Sequence, residues 1–507
     1  MEIKAEVFSM IQTFLAIVTI ATISRIIYMQ KFHPLAKFPG PWYAGSFSLF
    51  GAIVSIIKME PRFFKYLVNT YGTDRPIRIS PTLLLFPRPS ALKDIYWDPQ
   101  CNRKGGLYGS FALGPTHLFT TIDGREHKNL RKALSNAPWT IGQLKKTWEP
   151  RFDDQINLFI KRSHEHAAAG RTICLADKVA EFAADIMSMV SFTEPFGSIK
   201  NQRDEKDILG NWRKGLRFFG LLGRFRFFRE RILKMPIIGL WFLPAVSDDS
   251  GMGFLMARAE QEVTTREKQI EEKTISSKLD FLQHCLDARM PNGSPLTHSQ
   301  RTAHVTLLIQ AGADTTGTAL GSILRFLLTH PPSMVRARDE IERAEDAGRL
   351  SIPVQFEETK THLPFFVACI KEGLRLHPPA PNLFARVVPM HGKIIDGHFV
   401  PGGFEVTSHA YTVQRDHVLY GDDAEEFKPE RWLVSEKRTF ELEAAQFTFG
   451  MGPRVCLGKD IAIMELYKLL PEVIRRFNLE LEQAGKYVVE GGVGYNVGFL
   501  VKLIARA

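Results

Sequence analysis

The sequence predicts one large domain that is mainly α-helical and has a small β part, and three observations lead to this fold class. A long apolar stretch from Leu296 to His330 begins at a Thr/Ser cap and stops before two prolines, which is typical of a single helix. A second apolar segment, Leu363 to Pro379, also ends at prolines. From Gly392 to His409, short β-rich runs alternate with turns that contain glycine and proline. The 507 residues are enough to bury one large core.

The amino end predicts a membrane anchor. The residues from Val7 to Ile27 are mostly apolar, and a helix of ~20 apolar residues can cross a bilayer. Lys31 and Lys37 follow, and positive residues mark the cytoplasmic side of such a helix. A cleaved signal peptide is the alternative, but no separate positive region precedes the apolar run and no A-x-A-like cleavage site follows it. We therefore expect residues 1–30 to form a retained, single-pass anchor.

A proline-rich segment follows the anchor. The stretch HPLAKFPGPW, residues 33–42, contains three prolines and a glycine, which disfavour a continuous helix. We expect a stiff hinge over residues 31–45 and a single folded body over residues 46–507.

The composition is that of a folded protein of a reducing compartment. Hydrophobic residues make up 45% of the chain and charged residues 24%. The five cysteines are odd in number and scattered, which argues against a disulfide framework. The formal net charge is +10, but we find no lysine and arginine run of nucleic-acid type and expect no nucleic-acid partner. The Phe- and Arg-rich stretch from Gly215 to Lys234 is either a membrane-touching amphipathic segment or a helix pair with a solvated basic face.

One cysteine has unusual surroundings. Cys456 lies within FTFGMGPRVCLGKDIA, residues 447–462, among three glycines and two residues after Arg454. The stretch lacks a second Cys or His at zinc spacing, a Cys-x-x-Cys pair and a local His that could activate a nucleophile. An inert buried thiol and an axial thiolate ligand of iron remain as interpretations. Glycines would let a flat cofactor approach the backbone, the helix that starts at Gly458 would favour the thiolate charge, and Arg454 suits a carboxylate.

The pattern Phe449-x-x-Gly452-x-Arg454-x-Cys456-x-Gly458 resembles the heme-binding loop of the cytochromes P450. The resemblance covers nearly the whole body, because further motifs follow in the order and spacing of that family. It implies the cytochrome P450 fold and heme b as the cofactor, with Cys456 as the metal ligand. It also implies that Phe449, Arg454 and Gly458 contact the heme.

The long helix carries a second motif of this resemblance. Residues 311–316 read AGADTT, so that small residues clear one helix face beside a carboxylate and a hydroxyl. On the residues alone, a helix crossing that requires small side chains is the alternative. The resemblance implies an oxygen-activating segment, in which Ala311 borders the heme, Thr315 orders water and Asp314 supplies protons.

A third motif has a structural role in the family. Glu372 and Arg375 lie three residues apart on one predicted helix, and the stretch FKPERW supplies Arg431. On its own, such a pair is more often a surface salt bridge. The resemblance implies a buried Glu–Arg–Arg network that holds the core around the cysteine loop.

Three more residues are candidates for the heme propionates. His127 and Arg131 lie on one face of a short basic helix over residues 126–134, so both can reach one anion. The family often has tryptophan where this chain has His127. Arg386 matches the position of a further propionate contact.

The resemblance implies a heme-thiolate monooxygenase that inserts one oxygen atom from O2 into an apolar or aromatic small molecule. The chain has no Gly-rich dinucleotide fingerprint, so electrons must come from another protein, by resemblance an NADPH-dependent cytochrome P450 reductase. The basic excess suits an acidic docking partner. The hinge sequence resembles that of microsomal fungal members, which implies the endoplasmic reticulum membrane with a cytosolic catalytic domain. We expect a role in secondary-metabolite biosynthesis, within a group that resembles pisatin demethylase.

Two other functions stay open. A heme-thiolate isomerase or dehydratase would need no oxygen, but the presence of Asp314 and Thr315 argues against it. A heme-binding protein without turnover, a sensor or a carrier, is the alternative outside the enzymes.

The substrate pocket is expected, by family analogy, between the loop before His127, the segment Gly215–Phe228, residues 382–384 and the stretch GGVGYNVGF near the carboxyl end. These segments are rich in aromatic and aliphatic residues, which indicates an apolar or aromatic substrate. His304 shares a helix face with Ala311 and Thr315, so it either points toward the substrate or is a buried, hydrogen-bonded histidine.

Overall fold

The computed structural model describes residues 2–109, 115–135, 140–235, 244–274 and 279–506. Helices dominate these residues, which confirms the predicted fold class. The α-helices are α1 Glu2–Ile27, α2 Trp42–Ser46, α3 Leu49–Ile56, α4 Glu60–Tyr71, α5 Ala91–Tyr96, α6 Gly124–Ser135, α7 Ile141–Gln143, α8 Glu149–Ala168, α9 Leu175–Phe192, α10 Ser198–Asn201, α11 Ile208–Arg224, α12 Gly251–Glu271, α13 Phe281–Asp287, α14 His298–Thr329, α15 Pro331–Asp346, α16 Phe356–His362, α17 Pro364–Leu376, α18 Ala410–Val413, α19 His417–Tyr420, α20 Glu436–Ala445 and α21 Lys459–Arg476.

The strands are short and form small sheets. They are β1 Ile77–Ser80, β2 Leu83–Leu85, β3 Thr172–Cys174, β4 Arg386–Val387, β5 Lys393–Ile395, β6 His398–Val400, β7 Glu405–Thr407, β8 Phe477–Gln483, β9 Lys486–Glu490, β10 Val493–Val497 and β11 Leu500–Ala505. One sheet has the order β1-β2-β7-β4, a second has the order β3-β11-β8, and two hairpins pair β5 with β6 and β9 with β10. Strands β5 to β7 were predicted from the turn residues, whereas the strands after α21 were not.

Helix α14 runs through the centre of the body. Its start is fixed by a capping box in which Thr297 and Gln300 satisfy each other's backbone N–H groups. Its 32 residues correspond to about 48 Å of helix. It crosses α9 so closely that a Cβ atom on Gly312 would lie 2.5 Å from the sulfur of Met187, and one on Gly317 would lie 2.5 Å from the Cα of Ala180. Glycine is therefore required at position 317, where the neighbour is backbone, whereas a side chain at position 312 would displace Met187. The close packing at Gly312 supports the packing interpretation of the AGADTT motif.

The predicted Glu–Arg–Arg network is confirmed as a buried structural cluster. Nε of Arg375 lies 2.8 Å from Oε2 of Glu372, and Nε of Arg431 lies 2.9 Å from Oε1 of the same carboxylate. The indole N–H of Trp432 also donates to Glu372, at 2.9 Å. Because all of these groups are buried, the attraction between them is scarcely screened by solvent.

Gln414 connects this cluster to the segment before the cysteine. Its backbone carbonyl accepts a hydrogen bond from Arg375 at 2.7 Å, and its side-chain amide donates to the Arg375 carbonyl at 2.9 Å. Its Oε1 accepts from the N–H of Phe447 at 2.7 Å and from the hydroxyl of Thr448 at 3.0 Å. The cluster therefore holds the start of the cysteine loop, as the sequence predicted.

Helix α1 is an apolar helix whose side chains from Glu6 to Arg25 are exposed. By length and composition, residues Glu6–Phe32 could cross a membrane, as the sequence predicted. The following segment is packed against the body around the buried Arg78. This side chain donates to the carbonyl of Met29 at 2.7 Å, and its Nη2 lies 3.1 Å from Nδ1 of His33. The start of the segment that the sequence predicts as a hinge is therefore packed against the body at His33.

Candidate active site

The cysteine loop connects a short 3₁₀ turn, Gly452–Arg454, to α21. Gly450 and Gly452 have φ values of +69° and +68°, which side-chain-bearing residues rarely adopt. A Cβ atom on Gly452 would also lie 2.1 Å from the carbonyl oxygen of Tyr96. The N–H of Cys456 donates to the carbonyl of Phe449 at 2.8 Å and closes the loop. Glycine is therefore needed for the turn itself, as well as for any approach of a cofactor.

Cys456 lies at the end of this loop, immediately before α21. Its side chain is accessible to solvent although it is surrounded by protein. Burial raises the pKa of the Cys456 thiol, while the N–H of Gly458 and the charges of Arg131 and Lys459 act in the opposite direction. The other cysteines of the described residues, Cys101, Cys174, Cys285 and Cys369, are buried or half-buried.

Arg454 and Arg131 bind backbone carbonyls near the loop. Arg454 donates to the carbonyls of Asn102, Thr121 and Ile122 at 2.8–3.1 Å, and to the side-chain oxygen of Asn102 at 2.7 Å. Arg131 donates to the carbonyl of Val455 at 2.8 Å and so supports the residue next to Cys456. Burial lowers the pKa of Arg454 to about 9. Both guanidinium groups therefore fix the loop in place, whatever else they bind.

Three further basic groups lie near Arg454. Arg386 donates to the carbonyls of Phe384 and Ala385, and Lys104 donates to the carbonyl of Phe119. Burial lowers the pKa of His127 to about 3, and the charges of Arg454 and Lys104 act in the same direction. The sequence interpretation missed Lys104, which is buried and whose pKa burial holds well below its usual range.

This basic cluster fits a cofactor that carries carboxylates. Within the described part of the chain, no carboxylate lies within ion-pair distance of Lys104, Arg131, Arg386 or Arg454. Buried cations are normally paired, and Nδ1 of His127 is buried without a hydrogen-bond partner. A Cβ atom on Gly458, two residues after Cys456, would meet no atom within 4 Å, so the backbone there is open to close approach. The donor set thus matches the two propionates and the flat ring of heme.

The AGADTT motif presents two different surfaces. Ala311 is exposed although α14 crosses the interior, whereas Gly312 packs against α9. The hydroxyl of Thr315 donates to the carbonyl of Ala311 at 2.7 Å, so its oxygen keeps its lone pairs for accepting from water. Both interpretations of this motif therefore have support: the helix crossing uses the glycine, and Ala311 and Thr315 share an accessible face.

Asp314 is fully buried and turned toward α11. Its Oδ1 accepts from Nε of Arg213 at 2.9 Å, and Nη1 of Arg213 contacts Asp177 at 3.2 Å. Burial raises the pKa of Asp314, and the Arg213 charge partly offsets this effect. Oδ2 of Asp314 is buried without a hydrogen-bond partner. Arg213 was not predicted, because nothing in the sequence places α11 beside the centre of α14.

An aromatic cluster brings together three of the segments that were expected to line the substrate pocket. It joins the loop before α6, helix α11 with the turn after it, and the segment before β4. Residues 110–114 of that loop lie outside the described residues. The cluster, here called the aromatic roof, contains Leu107, Tyr108, Phe119, Phe219, Leu222, Phe225, Phe228 and Phe384, among others. Most phenylalanines of the Phe- and Arg-rich stretch thus point into the protein, which favours the helix pair over the membrane-touching segment.

His304 is a buried, hydrogen-bonded histidine, one of the two interpretations that the sequence left open. Its Nε2 accepts from the N–H of Leu118 at 3.0 Å, and its Nδ1 lies 2.6 Å from the carbonyl of Gln300. Burial lowers the pKa of His304 to about 4, so the ring is neutral near pH 7.

The sequence model of the cytochrome P450 family matches residues 89–491, which is more than half of the chain. The chain belongs to the cytochrome P450 family. The match includes the AGADTT motif, the Glu–Arg–Arg network and the cysteine loop of this cytochrome P450. Membership in the family implies a heme-thiolate iron cofactor.

Curated relatives of this cytochrome P450 are fungal proteins. It is 29% identical over 474 residues to quiannulatic acid synthase of Emericella variicolor, with 91% of each chain covered. It is 29% identical over 464 residues to a cytochrome P450 monooxygenase of Aspergillus terreus, covering 90% of this chain and 92% of the relative. The cytochrome P450 monooxygenase aba1 of Botryotinia fuckeliana is 28% identical over 483 residues, covering 93% and 92%.

These relatives support a monooxygenase role for this cytochrome P450. Enzymes of this class generally use O2, a small-molecule substrate and electrons from a redox partner. The resemblance to pisatin demethylase stays a prediction.

Proposed function

We propose that this protein is a membrane-anchored heme-thiolate monooxygenase that inserts one oxygen atom from O2 into an apolar or aromatic small molecule. The observation that carries the proposal is the meeting of an accessible cysteine thiol with buried cations that have no carboxylate partner in the described structure. A thiolate ligand and two propionates satisfy both requirements at once.

Each predicted site residue has a place in this proposal. Cys456 would ligate the iron of heme b, and Arg454, Arg386, Arg131 and His127 would bind the propionates. Phe449, Gly458 and Ala311 would line the space for the ring. Activation of O2 is the chemistry that a thiolate-ligated heme supplies when it is bound.

Asp314 and Thr315 are proposed to deliver protons. Thr315 holds a water molecule by accepting its hydrogen bond, because its own hydrogen is used by the Ala311 carbonyl. Asp314 is paired with Arg213, so it can pass a proton toward Thr315 only after its side chain turns away from α11. The ion pair with Arg213 therefore controls how readily Asp314 can deliver a proton.

The substrate is proposed to be apolar or aromatic and to belong to fungal secondary metabolism. The aromatic roof supplies rings on the substrate side of α14. The quiannulatic acid synthase and the other fungal monooxygenases among the relatives support a biosynthetic role. We keep membership in a pisatin-demethylase-like group as part of the proposal.

Electrons are proposed to come from an NADPH-dependent cytochrome P450 reductase. Lys128, Lys132 and Lys459 are exposed on α6 and at the start of α21, on the side of the cysteine loop. An acidic partner would be attracted to this face.

We further propose an anchor over residues 1–30, a hinge over residues 31–45 and a cytosolic catalytic domain over residues 46–507. The endoplasmic reticulum membrane is the proposed location. The exposed apolar surface of α1 supports this arrangement.

The carbon monoxide difference spectrum of the reduced protein tests the proposed function. A strongly red-shifted Soret band is expected for a heme held by a thiolate, and Cys456→Ala should abolish it. A band at the position typical of histidine-ligated heme, or no heme at all, would contradict the assignment of Cys456. An intact thiolate band with turnover that needs neither O2 nor reductase would favour the isomerase or dehydratase, and an intact band with no substrate-induced shift would favour the non-catalytic heme protein.

A further inference from the structure

We propose that His304 is a positioning residue that holds Phe119 in the aromatic roof, and that it thereby sets the preference of the site for aromatic over small ligands. This inference rests on the proposed function, because it concerns ligands that bind at the heme. His304 itself is buried and does not need to touch the substrate.

The two hydrogen bonds of His304 fix both its orientation and its tautomer. The backbone N–H of Leu118 can only donate, so Nε2 of His304 must carry a lone pair. The hydrogen of the neutral ring therefore lies on Nδ1 and is donated to the carbonyl of Gln300, one turn earlier in α14. The ring therefore links α14 to the loop before α6 through one hydrogen bond on each side.

The held residue, Leu118, is the neighbour of Phe119. The ring of Phe119 lies 5.3 Å from the ring of Tyr108, with the two planes near perpendicular at 79°. Nζ of Lys104 lies 4.3 Å from the centre of the Phe119 ring and donates to its carbonyl. Tyr108 and Lys104 therefore hold Phe119 from one side. On the side of α14, the hydrogen bond from Leu118 to His304 holds the neighbouring backbone.

The bond from Leu118 to His304 thus joins the backbone of the loop to α14, and the rings of His117 and His304 also lie 6.2 Å apart. On the side away from α14, Lys104 donates to the carbonyl of Phe119, and Arg454 donates to the carbonyls of Thr121 and Ile122. The hydroxyls of Thr120 and Thr121 and the ring of His117 bond to the loop's own backbone. If Nε2 of His304 is lost, the buried N–H of Leu118 is left without an acceptor. The loop then moves to solvate this group, and Phe119 moves with it.

Two substitutions test the accepting Nε2 and the donating Nδ1 of His304 separately. In His304→Gln, the side-chain oxygen can reach the position of Nε2 and accept from Leu118. In His304→Asn, the shorter amide can replace only Nδ1, so the bond to Gln300 remains and the bond to Leu118 is lost. A role in positioning predicts that glutamine preserves the ligand preference and asparagine does not.

The test is a spectral titration of the heme-loaded, full-length protein with imidazole and with 4-phenylimidazole. We expect His304→Asn to lower the affinity ratio of 4-phenylimidazole to imidazole by roughly tenfold, the factor that corresponds to one buried hydrogen bond. His304→Gln should stay within about twofold of the wild type by the same criterion. Thr306→Val is the matched control, because Thr306 lies on the same helix and its hydroxyl bonds only to the carbonyl of Thr302 in the described structure.

Phe119→Ala keeps the inference testable if His304→Asn does not fold. This substitution removes the ring that is proposed to contact aromatic ligands. It should lower the affinity ratio of 4-phenylimidazole to imidazole as far as His304→Asn does. An unchanged ratio in Phe119→Ala, or equal losses in the asparagine and glutamine variants, would overturn the inference. If the wild type gives no spectral shift with imidazole, the proposed heme site itself is wrong and the inference falls with it.

Discussion

Nη2 of Arg213 lies 2.8 Å from Oδ1 of Asp314, and this ion pair joins α11 to the centre of α14. The carboxylate is fully buried and the guanidinium is 19% exposed. A buried charge depends on its partner, because removal of one member leaves the other without solvation. The acid that is proposed to feed protons to Thr315 is therefore also a structural link to the helix that carries part of the aromatic roof.

The first prediction concerns the stability of this pair. Arg213→Gln should lower the free energy of unfolding by about 3 kcal/mol, because it leaves the Asp314 carboxylate buried and unpaired. Arg213→Gln combined with Asp314→Asn should recover most of this loss, since no buried charge remains. Urea unfolding of the heme-loaded variants measures both values. Equal stabilities of the single and double variants would show that the unpaired Asp314 carboxylate is not the cause of the loss.

The second prediction concerns the hydroxyl of Thr315. Thr315→Val should retain heme but lower product formation by about 10²-fold relative to electron consumption, because the water that it holds is lost. Thr315→Ser is the matched control, since it keeps the hydroxyl within reach of the Ala311 carbonyl. The measurement is product formed per NADPH consumed with reductase present. Unchanged coupling in the valine variant would remove Thr315 from the mechanism.

The third prediction concerns Glu465, a fully buried carboxyl group on α21 whose two oxygens have no hydrogen-bond partner. Burial raises the pKa of Glu465 well above its usual value, so the folded chain keeps a proton that the unfolded chain releases above a pH of about 4.3. The free energy of unfolding should therefore fall as the pH rises, by up to about 1.4 kcal/mol per pH unit.

Glu465→Gln removes this dependence and should gain stability over the wild type between pH 5 and pH 7. Urea unfolding at three pH values compares the two proteins, with the exposed Glu436→Gln as the control. Parallel stability profiles for the wild type and Glu465→Gln would contradict a protonated Glu465 in the folded state.

The fourth prediction concerns the anchor. Removal of residues 2–26 and removal of residues 2–30 should both release the body from membranes. Only the longer deletion removes the carbonyl of Met29 that accepts from the buried Arg78, so it should cost a further 1–3 kcal/mol or so. Membrane fractionation and thermal unfolding test the two effects separately. Membrane association of the shorter deletion would move the anchoring role to the Phe- and Arg-rich stretch.

The parts of this protein that the sequence predicted are those with local signals. The caps and prolines around α14 and α17 fixed the two helices, and the turn residues predicted β5 to β7. The motifs predicted the partners of Glu372, because the family resemblance supplies a long-range contact that helix periodicity cannot. Strands β8 to β11 were missed although FNLELEQ alternates apolar and polar residues, which is the usual pattern of a half-exposed strand.

The residues that could not be predicted act across long sequence separations. Arg213 and Asp314 are 101 positions apart, and Arg213 is one of many arginines in a basic chain. Lys104 lies in a loop with no periodic pattern, so its burial beside Arg386 and Arg454 appears only once the chain is folded. The hydrogen bond from Leu118 to His304 could not be predicted either, because the donor is a backbone N–H that no side-chain pattern marks.

Gln414 links the Glu372 cluster directly to the segment before the cysteine loop. One amide side chain completes the bonds of the Glu372 cluster and accepts the N–H of Phe447, at the entrance to the cysteine loop. The loop therefore cannot open locally at this point without leaving the buried N–H of Phe447 without its acceptor. The Phe447 amide should therefore exchange its hydrogen slowly, because its bond belongs to the stable core and not to a loop that opens independently.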